Sequence, residues 1–209
     1  MYLFMRRLAT NGQMDGIAPI LMELSQLSKA IGVDLSIWAG GNGYKLGTLA
    51  FTVPYAKIAD RAEATAKMGA NKDFQKIINK MLPFIEELEE DTIIQFVKGG
   101  SVGSSVPVGA VVTTLEPRLA HGADFVQALD KSLKLAELSD KLSGVTHNVG
   151  YAVYGELGRF VMSAGYPNAA AAEAARDAML ADPQYIPTFI DRSELFQPGV
   201  MQRQFSKIA

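Results

Sequence analysis

The sequence predicts an α+β fold in which two tandem β-α-β-β-α-β repeats pack sheet to sheet as an eight-stranded barrel. A shift of 111 positions superimposes residues 46–70 on residues 157–181. The same shift aligns two apolar strands, a Gly-rich turn and an Ala-rich helix in the same order. The identities are Leu46-Gly47 with Leu157-Gly158, Tyr55 with Tyr166, Ala59 with Ala170, Ala64 with Ala175, Met68 with Met179 and Ala70 with Ala181. Each copy is about 100 residues long, which is enough to bury a core.

Each element of the first copy follows from its hydrophobic period or from a residue that ends it. Gly32 ends the first helix, and Pro54 ends the third strand because proline offers no N–H to a sheet. Asn71 can cap a later helix that Pro83 should then kink or divide. The predicted elements are a strand over 2–8, a helix over 14–31, a hairpin of strands over 33–39 and 46–53, helices over 56–68 and 71–85, and a strand over 92–97.

The second copy repeats this order with different side chains. Gly144 ends its first helix, Asn168 caps its second, and Asp182-Pro183 starts a short third helix. The predicted elements are a strand over 108–115, a helix over 124–142, strands over 145–154 and 157–164, helices over 169–180 and 185–190, and a strand over 200–205. We therefore divide the chain into repeat 1 (1–98), a Gly/Ser-rich linker (99–107) and repeat 2 (108–209).

A β-α-β-β-α-β unit places both helices on one face of its sheet and leaves the other face bare. Packing the two bare faces together gives an eight-stranded barrel with helices outside and a lumen between the sheets. On this element order, the chain resembles the dimeric α+β barrel superfamily, here as fused ferredoxin-like units. That superfamily includes cofactor-free monooxygenases, stress-responsive barrel proteins and haem-binding chlorite dismutases and dye-decolourising peroxidases. The resemblance implies a ligand cavity in or beside the barrel, and self-association into a homo-oligomer.

Charge and composition argue against several classes of partner. The net charge is −2 and the basic residues are dispersed, so we expect no nucleic-acid partner. No apolar run approaches the ~18 residues of a membrane helix, and the N-terminus lacks the order of a cleaved signal, so we expect no membrane partner. The absence of cysteine fits a reducing compartment, and we expect a cytoplasmic protein. The acidic run over 86–91 lacks the spacing of a calcium loop and indicates a solvated helix end.

Candidate catalytic residues fall on the second hairpin. His147 and Tyr151 share one face of their strand, and Arg159 and Ser163 form a row on the next strand. If both rows face the lumen, a cation, an imidazole and a phenol line one end of a mostly apolar cavity, the usual form of a small-molecule site. The alternative is that His147 and Arg159 lie at strand ends and are simply solvated.

The first hairpin offers candidate ligand-binding residues. Asp34 and Trp38 fall on the row that corresponds to His147, and with Ser163 they form the predicted ligand-binding set. Trp38 can equally be a core residue. A buried arginine needs an acidic partner, so whichever of Arg6 and Arg7 points inward should pair with Asp34.

The two histidines decide the cofactor prediction. The resemblance implies that haem-binding relatives carry an axial histidine on a helix of the C-terminal unit. His147 falls at a predicted strand start and His121 in a turn, so neither fits. The histidines also lack a partner at metal-ligand spacing. We therefore expect no cofactor and no metal.

Two functions remain open at this point. The first is a barrel that binds a small apolar or oxygen-rich molecule, as a cofactor-independent monooxygenase or isomerase. The second is a non-catalytic assembly protein whose barrel is filled. A lumen of several hundred cubic ångströms favours the first function. A lumen plugged by Phe51, Phe160 and Met162 favours the second.

Overall fold

A computed structural model of the chain describes residues 1–100, 106–199 and 202–209. The first repeat consists of β1 (Tyr2–Thr10), α1 (Met14–Ala30), β2 (Ser36–Gly40), β3 (Thr48–Tyr55), α2 (Ile58–Ala70), α3 (Lys72–Met81) and β4 (Ile85–Lys98). The second consists of β5 (Val111–Leu115), α4 (Phe125–Ser143), β6 (His147–Tyr154), β7 (Phe160–Tyr166), α5 (Ala169–Ala181), α6 (Tyr185–Ser193) and β8 (Gln202–Lys207). Predicted linker residues 101–105 and strand residues 200–201 lie outside the described residues. No helix in the described ranges is both long and apolar enough to cross a membrane.

The eight strands form one closed antiparallel barrel in the order β1-β3-β2-β8-β5-β7-β6-β4. The first repeat contributes neighbouring strands in the order β4-β1-β3-β2, and the second contributes β8-β5-β7-β6. The two sheets join where β2 pairs with β8 and where β4 pairs with β6. The predicted fold class is therefore confirmed.

The barrel lumen is filled by side chains from both repeats. They alternate with residues that face the outer helices, as the pleat requires. The lumen leaves a cavity of only about 40 Å³. Its buried apolar residues are Leu3, Met5, Trp38, Ala50, Ile94, Phe96, Val112, Val161 and Phe205.

The three residues expected to plug a filled lumen lie outside it instead. Phe51 packs in the cluster under the helices of the first repeat. Met162 and Phe160 belong to clusters under the helices of the second repeat. The prediction was wrong in its register, because the lumen-facing residues of β3 and β7 are the intervening ones, such as Ala50 and Val161.

Two local predictions fail for reasons that involve neighbouring strands. The acidic run over 86–91 is not a helix end but part of β4, where Arg6 lies opposite Asp91 and Arg7 opposite Glu90 across the ladder to β1. Opposite charges facing each other across strands stabilise this pairing. The third strand does not end at Pro54, because β1 continues to pair past it. The neighbour on the other side, β2, pairs only as far as Thr52, so Pro54 lies at an open edge.

Candidate functional site

His147 and Arg159 lie on opposite faces of the sheet, so the expectation that they line one cavity is wrong. On β6, Asn148 faces the lumen, where its side-chain amide donates to Ser163 Oγ at 3.3 Å. The pleat then turns its neighbours His147 and Val149 toward the outer helices, and Val149 packs in the cluster beneath α4. Arg159 belongs to the row of Val161 and Ser163 on β7, which faces the lumen.

His147 lines a cavity of about 200 Å³ between the sheet and helices α4 and α6, here called the sheet–helix pocket. Apolar side chains, five hydroxyl-bearing side chains and one amide surround the imidazole, so the pocket offers both apolar walls and hydrogen-bonding groups to a small molecule. The pocket is lined by Thr113, Thr114, Leu115, Leu135, Ser139, His147, Met162, Ser163, Ala164, Tyr185, Phe189 and Gln202.

Asp140 fixes the orientation of the His147 ring. Asp140 lies near the end of α4, and its Oδ1 is 3.1 Å from His147 Nδ1 and 2.6 Å from the His147 backbone nitrogen. The carbonyl oxygen of Val145 is 3.0 Å from the same ring nitrogen. Both neighbours of Nδ1 are acceptors, so Nδ1 carries the proton and Nε2 carries a lone pair. Within the described ranges, no hydrogen bond engages Nε2.

Burial keeps the imidazole neutral, and hydrogen bonds keep the carboxylate ionised. Burial lowers the pKa of His147 below its usual value, and hydrogen bonds to Asp140 and Val145 offset only part of this effect. Burial by itself raises the pKa of Asp140, but hydrogen bonds from Lys98 and His147 bring it below its usual value. Lys98 forms an ion pair with Asp140 and donates to the His147 carbonyl oxygen at 3.0 Å. An ionised carboxylate that orients a neutral imidazole is the arrangement of a general base.

Arg159 lies at one end of the barrel, in an open cavity of about 590 Å³ that we call the barrel mouth. It is 3% exposed and forms an ion pair with Glu90. Charged residues from β1, β4 and β8, from the segment after β5 and from the hairpin between β6 and β7 meet there. The mouth is lined by Arg7, Glu89, Glu90, Glu116, Pro117, Arg118, Gly155, Glu156, Arg159, Gln197, Pro198, Gly199 and Arg203.

Tyr151 lines neither of these cavities. Its hydroxyl donates to Gln95 Oε1 at 3.2 Å, and its ring packs edge-on against Phe125 with centroids 5.0 Å apart.

The predicted ligand-binding residues lie apart from one another. Trp38 is buried in the lumen, where its indole nitrogen donates to Thr52 Oγ1 at 2.8 Å. Asp34 is exposed in the segment before β2. The structure therefore does not bring Trp38, Asp34 and Ser163 together as one set.

The inward arginine of β1 has partners that the sequence did not indicate. Arg7 points into the lumen end and pairs with Glu90 and with Glu116, the latter at 3.1 Å. Arg6 points outward and binds Asp91 through two hydrogen bonds. The expected pairing of an inward arginine with Asp34 is wrong, because Asp34 lies outside the barrel.

Asp140 is the site residue that the sequence reasoning missed. It lies seven positions before His147, and the helix end at Gly144 turns the chain back so that the last helical turn meets the start of β6. A carboxylate one turn before a helix-ending glycine, with a histidine at the next strand start, is a signal that could have found it.

Comparisons with known proteins bear on the fold. No protein-family model and no curated protein sequence matches the chain. A structure from Fusobacterium nucleatum, provisionally named a monooxygenase, matches with TM-score 0.74 and 10% identity over 100% of this chain and 92% of that one. The chain has the fold of the dimeric α+β barrel superfamily.

Two further solved structures agree with this assignment. A Lactobacillus acidophilus protein with the same provisional name has TM-score 0.62 and 9% identity, over 100% of this chain and 94% of that one. An anthrone oxidase-like protein has TM-score 0.60 and 12% identity, over 100% and 91%. The resemblance predicted from the element order is thus confirmed at the level of the fold.

Haem occurs in some branches of the dimeric α+β barrels, but the residues of this chain do not fit it. His147 lies on a strand and not on a helix, and His121 is exposed in the turn before α4. The sheet–helix pocket, at about 200 Å³, is also smaller than the ~300–1,000 Å³ of pockets for drug-sized ligands. No cluster of metal-ligating residues occurs in the part of the chain that the structure describes.

Proposed function

We propose that the chain is a small-molecule-binding barrel protein that acts as a cofactor-independent oxygenase, with His147 as general base and Asp140 as its positioning residue. One observation carries the proposal: the Asp140 carboxylate contacts Nδ1 of an imidazole that lines a pocket of apolar and hydroxyl-bearing side chains. The pocket size selects a compact substrate. Its composition selects one with an apolar body and an oxygen that the Ser139 or Tyr185 hydroxyl can bind.

The chemistry begins with proton removal from a C–H group that a conjugated carbonyl group makes acidic. His147 Nε2 takes the proton, and the electron pair left on carbon passes to molecular oxygen. For a CH₂ group, one oxygen atom becomes a new carbonyl oxygen, and the other leaves as water with the two hydrogen atoms of that carbon. Asp140 stabilises the imidazolium that forms during the transfer. Without oxygen, the same base moves a proton between carbons, which is an isomerase reaction.

The structural neighbours support the oxygenase side of this proposal. Two of them carry a monooxygenase name and a third is named anthrone oxidase-like. Their low identity transfers no residue role to this chain. The role of His147 therefore rests on the geometry of this pocket alone.

The experiment uses anthrone as probe substrate and measures oxygen consumption and anthraquinone formation above the uncatalysed rate. We expect His147→Gln to lower the enzymatic rate by about 100-fold or more, the usual contribution of a general base. His121→Gln is the matched control, because His121 is the second of two histidines and is exposed. It should leave the rate unchanged. Full activity in His147→Gln contradicts the proposed base.

The positioning role of Asp140 has its own readout. In the wild type, the rate should rise with pH through the lowered pKa of His147, because only the neutral imidazole accepts a proton. Asp140→Asn removes an interaction that raises this pKa, so the rising limb should move to lower pH while the plateau rate falls. If the rate falls but the rising limb of the pH profile stays at the same pH, Asp140 has only a structural role.

A second function, a non-catalytic assembly protein, draws support from the filled lumen with its cavity of about 40 Å³. Leu46 and Leu157 add to it, because both are at least 80% exposed at the turns of the two hairpins. Native mass spectrometry distinguishes the two functions. A stable homo-oligomer that dissociates on Leu46→Ser with Leu157→Ser, and that lacks turnover of anthrone, supports assembly.

A further inference from the structure

The barrel mouth is a second cavity, separate from the sheet–helix pocket. It lies where β1 and β5 end and where the hairpin between β6 and β7 turns. Its volume of about 590 Å³ falls within the range of small-molecule sites. Nothing in the proposed reaction uses it.

The inner wall of the mouth is a preorganised ion network. Arg7 pairs with Glu90 and Glu116, and Arg159 pairs with the same two carboxylates, 3.8 Å from Glu116. Burial by itself raises the pKa of Glu90, but hydrogen bonds from Arg159 and Thr92 and the nearby arginine charges lower it to about 2. Glu90 therefore stays ionised across the physiological range, facing both guanidinium groups.

Glu116 is held in place by several donors and does not leave the network readily. Its carboxylate accepts from Thr114 Oγ1 at 3.2 Å and from the Tyr44 hydroxyl at 3.3 Å. Burial and then the charge of Glu116 raise the pKa of Tyr44 to about 12, so the phenol remains a donor. Arg203 approaches the same carboxylate at 3.7 Å from the β8 side.

Inside the exposed Glu89, the mouth has one more positive than negative charge. Four arginines, Arg7, Arg118, Arg159 and Arg203, face three glutamates, Glu90, Glu116 and Glu156, the last of which is 4.0 Å from Arg159. In the described part of the chain, the Nε atoms of Arg7, Arg159 and Arg203 are buried without a hydrogen-bond partner. Buried unpaired donors are costly, and an anion that binds Arg203 can satisfy the Nε atom of that residue.

The rim of the mouth limits the anion to one charge. Glu89 is exposed there, and Glu156 pairs with Arg118, whose side chain is 55% exposed. An exposed ion pair adds little stability, so Arg118 can turn from Glu156 to a ligand at little cost. The rim carboxylates repel an anion that brings a second charge. Pro117 and Pro198 offer apolar walls between rim and network.

We propose that the barrel mouth binds a small monocarboxylate, with its carboxylate on Arg203 and Arg118 and its apolar body between Pro117 and Pro198. The carboxylate offsets the one excess positive charge of the mouth. A neutral ligand leaves that excess in place, and a dianion brings one negative charge too many. Arginine suits this role because its planar donors match a carboxylate. This site is independent of His147.

The test measures binding of benzoate, benzamide and terephthalate to the full chain by isothermal titration calorimetry. The three probes share one ring and differ in charge. We expect benzoate to bind, benzamide to show no binding, and terephthalate to bind at least tenfold more weakly than benzoate. Equal affinity for benzoate and benzamide, or for benzoate and terephthalate, overturns the charge argument.

Variants locate the site. Arg203→Gln and Arg118→Gln should each weaken benzoate binding about tenfold, the loss of one charge-assisted hydrogen bond. Arg6→Gln is the matched control, because Arg6 lies on the outer face of β1, and it should bind benzoate as the wild type does. The exposed position of Arg118 makes misfolding of that variant a minor concern, and circular dichroism checks both. Unchanged binding in both variants overturns the proposal, and loss of binding in His147→Gln places benzoate in the other pocket.

Discussion

Arg192 on α6 is a buried charge. The residue is 1% exposed, and its Nε donates to Ser132 Oγ at 2.9 Å. Its guanidinium lies over the Phe196 ring, 4.4 Å from the centroid. Among the described residues, no carboxylate lies within ion-pair distance, and one terminal nitrogen has no partner. Burial, opposed only by Tyr185, lowers the pKa of Arg192 to about 10.

We expect Arg192→Met to raise the free energy of unfolding by about 1–3 kcal/mol, because it removes a desolvated charge from an apolar site. The lowered pKa disfavours the folded state, and this cost is complete at any pH below about 10. The gain over the wild type should therefore be the same at pH 6 and pH 9. Urea unfolding at both values measures it. A variant that is less stable than the wild type would show that the Ser132 and Phe196 contacts outweigh desolvation.

At the residue scale, the sequence identified two of the residues that face cavities but not their partners. His147 and Arg159 were predicted as site residues, whereas nothing in the sequence indicated that Glu90 and Glu116 are the two carboxylates that bind Arg159. These contacts join positions far apart in the chain and depend on how the two sheets close. Hydrophobic periods report which face of an element is buried, and they carry no information about which charges meet across a lumen.

At the element scale, residues that cap the start or the end of a helix were the most reliable signals of helix boundaries. Asn71 accepts from the backbone nitrogens of Asp73 and Phe74, and Gly144 ends α4 in the left-handed conformation, both as predicted. β4 was the least predictable element. Its first half is acidic, so its strand state follows from pairing with β1 and not from its own composition.

The C-terminal end of α4 places Asp140 beside His147, and alanine substitutions at Gly144 and Gly69 form a matched pair that tests how this helix ends. A Cβ at either position would meet nothing within 4 Å, so only backbone conformation separates them. Gly144 has φ +70°, whereas Gly69 is within α2. We expect Gly144→Ala to destabilise the protein by about 1–2 kcal/mol and Gly69→Ala to stabilise it by about 0.5–1 kcal/mol. Thermal unfolding measures both, and equal shifts would contradict the cap assignment.

At the scale of the whole molecule, the residues shared by the two copies mark corresponding turns and corresponding core positions, such as Tyr55 in the first repeat and Tyr166 in the second. The Leu-Gly identity places Gly47 and Gly158 at positive φ in corresponding hairpins, with Leu46 and Leu157 exposed beside them. The outer cores of the two repeats differ. The first is densely filled beneath α1 and α3, whereas the second leaves the sheet–helix pocket beneath α4 and α6. The candidate base therefore occurs in one repeat only.

The shared lumen should make the two repeats unfold together. Trp38, the single tryptophan of the chain, belongs to the first repeat but packs in one cluster with Val161 and Phe205 of the second. Its fluorescence therefore reports on a core that neither repeat forms alone. We expect its denaturant transition to coincide with that of far-ultraviolet circular dichroism, which reports all helices and strands.

Phe205→Ala extends this test across the repeats. It removes a buried ring from the second repeat and should lower the free energy of unfolding by about 3–5 kcal/mol. Both signals should shift to lower denaturant by the same amount, because the deleted contacts belong to the core that surrounds Trp38. Leu180→Ala on the exposed side of α5 is the control, and should change stability by no more than about 0.5 kcal/mol. A shift confined to circular dichroism would mean that the repeats unfold separately and that barrel closure adds little to their stability.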